Sequence, residues 1–124
     1  MKNIFCAAVL FFAAVILRAQ VPQGINYQAV ARSASGVALT NTNISVRFTV
    51  HDGSSTGAAV YQEHFQTTTN AFGLFTLVIG TGTADAGTFN GINWQTGNKF
   101  LQVELDGGSG YVDMGTSQLM SVPY

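Results

Sequence analysis

Cysteine is all but missing from this chain. Cys6 is the only one, and it lies inside an apolar N-terminal run rather than just after it, where a lipid-modified cysteine would stand. Once that run is removed, disulfides, cysteine-ligated metals and cysteine nucleophiles are excluded together. Basic charge is scarce too. Past the N-terminal region the cations are Arg32, Arg47 and Lys99, set against Asp52, Glu63, Asp85, Glu104, Asp106 and Asp113. Such scattered cations neutralise neither a row of phosphates nor an anionic lipid surface, which excludes nucleic-acid binding and polybasic membrane contact. Helical periodicity is the third absence. After the N-terminal run no segment repeats its apolar residues at 3.6-residue spacing, and no membrane span is expected.

What is present begins with that run. Met1-Lys2-Asn3 is a short basic start, Ile4 to Leu17 is almost unbroken apolar chain, and Arg18-Ala19-Gln20 returns to polar residues. The run is shorter than the roughly 20 residues a bilayer span requires, and it has the form of a secretory signal peptide. The expected organisation is a signal peptide over residues 1–19, cleaved after Ala19, followed by one domain over residues 20–124. The expected destination is extracellular or the cell surface. That domain exceeds the roughly 55 to 65 residues at which domains already fold alone, so export without disulfides is physically reasonable.

The rest reads as strands and turns. Gln20 to Gly24 is a leading arm. Ile25 to Arg32 is a strand with Ile25, Tyr27, Ala29 and Ala31 on one face. Ser33-Ala34-Ser35-Gly36 turns the chain into a short return over Val37 to Leu39. Ile44 to His51 alternates cleanly, with Ile44, Val46, Phe48 and Val50 inward, the period-2 signature of a half-buried strand. Ala59 to Thr68 is the next strand, and the turn Asn70 to Gly73 leads into the compact apolar strand Leu74 to Ile79. Gly80 to Gly91 reads as an irregular connection, pinned by Phe89, Ile92 and Trp94, with a single helical turn near Asn90 to Trp94. Lys99 to Asp106 is a strand, Asp106 to Gly110 a hairpin turn, Tyr111 to Thr116 its return, and Leu119 to Tyr124 a final extended edge. About seven short strands at this spacing predict an all-β fold, an antiparallel Ig-like or transthyretin-like β-sandwich.

Chemistry is sparse. His51 and His64, joined by Glu63, form a metal site only if the strands around the Asp52 to Gly57 loop bring them together; outward, solvated histidines are the simpler expectation. Gly107 to Gly110 lacks the second glycine of a nucleophile elbow, because Tyr111 stands in its place. Gly80-Thr81-Gly82-Thr83-Ala84-Asp85 has glycines but no lysine and no following helix, which excludes a P-loop. Asp106 and Asp113 flank a glycine turn at a spacing that fits no standard calcium loop. No cofactor and no catalytic residue is expected. Tyr27, Tyr61, Phe65, Trp94 and Tyr111 are the aromatics from which a sugar-stacking platform would be drawn. Most belong to the core, and Tyr61, Trp94 and Tyr111 are the binding candidates.

Gln23-Gly24-Ile25-Asn26-Tyr27-Gln28-Ala29-Val30-Ala31-Arg32 resembles the opening of a large group of secreted and surface proteins of Bacteroidetes-type bacteria. The similarity continues through Ile44 to Phe48, Asn70 to Phe75, Gly80 to Thr83, Ile92-Asn93-Trp94, Lys99 to Glu104 and Ser121-Val122-Pro123-Tyr124. In that group the block is an N-terminal β-module that precedes collagen-like, coiled-coil or tail-fibre-like segments. A looser similarity, around Gly73 to Leu77, is to transthyretin-like carboxypeptidase regulatory domains. The resemblance implies a non-catalytic structural or adhesive module at the start of a longer fibre-like polypeptide. It transfers no catalytic residue. A carbohydrate- or ligand-binding module is the alternative, with a surface glycan as its partner. Members of the group run on past Val122-Pro123-Tyr124, so a strand edge that normally leads into a stalk is expected to pair with other protein chains.

Overall fold

The computed structural model describes residues 24–120. The expected signal peptide, its cleavage site and Ser121 to Tyr124 lie outside the described residues. Seven strands follow one another: β1 (Ile25–Val30), β2 (Asn43–Asp52), β3 (Ala59–Thr68), β4 (Leu74–Ile79), β5 (Thr83–Ala86), β6 (Lys99–Asp106) and β7 (Tyr111–Leu119), with a 3-10 turn at Phe89–Gly91 between β5 and β6. All pairings are antiparallel. They make a five-stranded sheet in the order β5-β3-β2-β6-β7 and a two-stranded sheet, β1-β4. The fold is the expected antiparallel β-sandwich.

β2 is its centre because its alternation leaves no other choice. Ile44, Val46, Phe48 and Val50 are all buried, and a one-residue slip would turn every one of them to solvent. β6 answers from one side with Leu101, Val103 and Leu105, opposite Val50, Phe48 and Val46 respectively. The two-stranded sheet closes the layer from above. Tyr27 of β1 lies edge-on to Phe48 with ring centroids 5.0 Å apart, and Phe48 meets Phe65 of β3 at 5.8 Å. Such aromatic contacts contribute about 0.5–1.5 kcal/mol each beyond the area they bury.

The connections are held by short polar bonds. The Asn70 side chain accepts from the N–H groups of Phe72 and Leu74, at 2.8 and 3.0 Å, and Gly73 adopts φ +80° to complete that turn. The 37–39 return is present as a single bridge, Arg32 to Ala38. Buried Thr69 donates to the Leu39 carbonyl and accepts from the Thr42 N–H, tying the β1–β2 connection to the β3–β4 turn.

Two elements differ from expectation. The irregular stretch after Gly80 contains β5, which pairs with β3; all four of its residues are exposed, so no apolar pattern marks it. The return after the glycine hairpin does not stop at Thr116 and restart at Leu119. It runs unbroken to Leu119, because a register shift opposite Gln102 to Glu104 absorbs the extra residue.

Candidate interaction edge

β7 is the outermost strand of the five-stranded sheet, and its entry is shaped by one side chain. The Asp106 carboxylate accepts from the N–H groups of Gly108 and Gly110, at 2.7 and 3.0 Å, which fixes the hairpin before β7 begins. Midway, Met114 and Gly115 together stand opposite Val103, and Gly115 takes φ +116° to make the bulge. The register puts Val112, Met114, Ser117 and Leu119 on the face shared with the core, and Tyr111, Asp113, Thr116 and Gln118 on the outer face.

Leu119 packs against the core, but Val112 and Met114 are not covered. Val112 is 54% exposed and Met114 48%, because the two-stranded layer ends before it reaches β7. Beside them Leu39, Leu105, Val112 and Met114 wall a mainly apolar groove of about 350 Å³, with Arg32 and Ser109 at its rim.

The outer face of the same sheet is polar and internally paired. The Arg47 guanidinium donates to both Glu104 oxygens, at 3.0 and 2.6 Å, and lies 4.1 Å from the Tyr111 ring centroid. The hydrogen bond to Glu104, reinforced by that charge, raises the Arg47 pKa, so its cation is permanent. His51 is bonded to the Gly57 carbonyl and the Gln102 side chain, and His64 to Asp85.

These positions settle the sequence candidates for metals one by one. His64 stands opposite Arg47 and His51 opposite Ala59, so the two histidines are four residues apart along the sheet, about 13 Å at strand rise. Glu63 is on the other face and fully buried. The conceivable His51, His64 and Glu63 cluster is therefore not assembled, and the histidines are not simply solvated either. Among the described residues no three His, Cys, Asp or Glu side chains converge. Asp106 serves its own hairpin, and Asp113 accepts from Gly115.

The aromatic candidates are dispersed. Tyr61 is buried, its hydroxyl donating to Glu63 at 2.6 Å. Trp94 is exposed beyond β5, stacked edge-on to Phe89, which in turn meets Tyr61. Tyr111 is on the outer sheet face beneath Arg47. Buried Tyr61 belongs to no surface row, because strand alternation sends it inward beside Val50; Trp94 and Tyr111 occupy opposite faces.

The residue that sequence reasoning missed is Glu63 itself, as a core group. Its carboxylate accepts from Tyr61 Oη, the Gly80 N–H at 2.7 Å and the Gly82 N–H at 3.0 Å. The glycine-rich loop does present its amides to an anion, and that anion is internal. The available signal was parity: Glu63 lies between Tyr61 and Phe65 on one face of β3. Lys99 is the second such case, 4% exposed and bonded to Asp52 at 2.8 Å and to the Thr96 carbonyl.

A small antiparallel β-sandwich with polar groups sealed into its core and exposed outer strands, β5 and β7, is the class that fold and surface define. Residues 26–119 match the family described as a domain of unknown function, DUF8740, and the chain belongs to that family. No curated protein and no solved structure matches it.

Proposed function

We propose that the chain is a non-catalytic structural or adhesive module of an exported, cell-surface protein, carried at the start of a longer fibre-like polypeptide. The observation that carries this reading is where the polar side chains point. Glu63, Lys99, Arg47, His51 and His64 each bind another part of the scaffold, so the titratable groups stiffen the sandwich rather than meet in a cleft. A module that transmits or withstands load needs that stiffness, whereas an enzyme needs convergent groups free to meet a substrate. The signal-peptide-like start and the resemblance to surface modules support the same reading.

The test is the native product. Antibody raised against the domain is expected to label intact producing cells, and intact mass of the captured protein is expected to exceed 13.1 kDa by the weight of a downstream stalk. Detection only inside the cells would refute the surface role. A mass equal to the processed domain alone would refute the fibre and turn attention to a glycan-binding screen.

A further inference from the structure

We propose that the groove between β7 and the turn after β1 binds a free fatty acid, its alkyl chain in the groove and its carboxylate at Arg32. The groove holds about 350 Å³ and is walled by Leu39, Leu105, Val112 and Met114. That volume is at the small end of the range for small-molecule sites, which are mainly apolar with a few placed polar groups. Among the described residues no carboxylate side chain lines it. Asp106, next along β6 from Leu105, is on the outer sheet face, and its Oδ1 accepts from the N–H groups of Gly108 and Gly110.

The cation at the rim is uncompensated. Arg47 is paired with Glu104 and Lys99 with Asp52, whereas among the described residues Arg32 meets no carboxylate. Its Nη1 donates to the Gly36 carbonyl at 3.1 Å. That bond orients the guanidinium and leaves further N–H groups for an anion, which a carboxylate can take as a charge-assisted pair. An apolar trough with one oriented cation at its lip is complementary to a ligand built of the same two parts.

The backbone around the groove decides against a peptide. The N–H groups of Ser33 and Leu39 are spent on the 37–39 return, and that of Gly110 on Asp106. The backbone groups of β7 lie in the plane of its sheet, not in the groove on its core-side face. A peptide laid in the groove would bury N–H and C=O groups without partners, a cost its side chains must first offset. A sugar would bury hydroxyls in the same way. An alkyl chain has no polar group to satisfy and covers Val112 and Met114 at no such cost. The site does not depend on the surface role proposed above, since the groove would take the same ligand in any compartment.

The test is an amide NMR titration of the full chain with octanoate, decanoate, octyl glucoside and decyltrimethylammonium, each below its micelle concentration. The two carboxylates are expected to give saturable shifts confined to Arg32 to Leu39 and Leu105 to Met114. Shortening decanoate to octanoate is expected to weaken binding about fourfold to fifteenfold, which is half to full burial of two methylenes. Octyl glucoside is expected to bind more weakly than octanoate, and the cationic decyl chain to give no saturable shift in the groove. Met114→Asp, at an exposed position, is expected to abolish binding, and Arg32→Gln to remove the preference for octanoate over octyl glucoside. Both variants are expected to keep the melting temperature of the unsubstituted chain. Phe72→Ser, at an exposed apolar position outside the groove, is expected to leave binding intact. Absence of a saturable shift, shifts centred elsewhere, or equal affinity for the cationic chain would overturn the proposal. So would either groove variant binding as before, or loss of binding in Phe72→Ser.

Discussion

Glu63 has no exposed surface, yet it carries the only carboxylate among the buried residues of the described chain. A buried anion is tolerated when its lone pairs are filled, and here Tyr61 and two backbone amides fill them. Glu63→Gln keeps the shape but sets an amide donor among donors. It is expected to lower the unfolding free energy by about 2–3 kcal/mol, read as a lower urea midpoint at unchanged slope. The tyrosines give a second prediction. Burial, reinforced by the Glu63 contact, pushes the Tyr61 phenol well above the ordinary tyrosine range, and burial raises Tyr27 as well. A raised folded pKa favours the neutral phenol, so this stability is complete below the unfolded value of about 10 and is lost as pH rises above it. Tyr61 should ionise only as the fold opens. A residue-resolved NMR titration in which Tyr61 ionises before near-UV dichroism is lost would contradict this.

At the scale of elements, the turn at Gly73 and the centre of β2 are the sensitive points. A Cβ at Gly73 meets the Ala31 carbonyl and the Ala38 side chain at 3.2 Å, and the backbone is already at φ +80°. Gly73→Ala is expected to cost about 1–2 kcal/mol, and to shift thermal unfolding downward by several degrees. Phe48→Ala removes the ring on which Tyr27 and Phe65 rest, with an expected loss of about 3–5 kcal/mol in chemical denaturation. β2, β4 and β6 were legible because burial on one face forces a pattern into the residues. β5 was not: Thr83-Ala84-Asp85-Ala86 is exposed throughout, and it is a strand only because β3 offers it a ladder.

At the scale of the whole molecule, the described residues form a five-stranded sheet faced by a two-stranded one. Its centre is built from distant chain, as in the Arg47–Glu104 pair, whose partners are 57 positions apart. Loop closure must therefore precede most of the stabilising contacts. Refolding is expected on a milliseconds-to-seconds scale, which stopped-flow fluorescence of Trp94 would measure; microsecond folding would show that local contacts dominate. Burial is uneven across the large sheet: the inward residues of β2 and β6 are sealed, while Val112 and Met114 of β7 stay bare.

Alternation in Ile44 to Val50 and Leu101 to Leu105, with glycine and aspartate at the turns, determined strands, faces and the sandwich class from sequence alone. Those signals are local, because a side chain's face follows from the parity of its position. Which strands became neighbours is a non-local matter, decided when the layers packed. Only the tertiary structure placed Glu63 under the Gly80 to Gly82 amides, separated His51 from His64, dispersed Tyr61, Trp94 and Tyr111, and left β7 at the rim. Each of these depends on what lies across a sheet or in the opposite layer, and neighbouring residues in the chain carry no record of that.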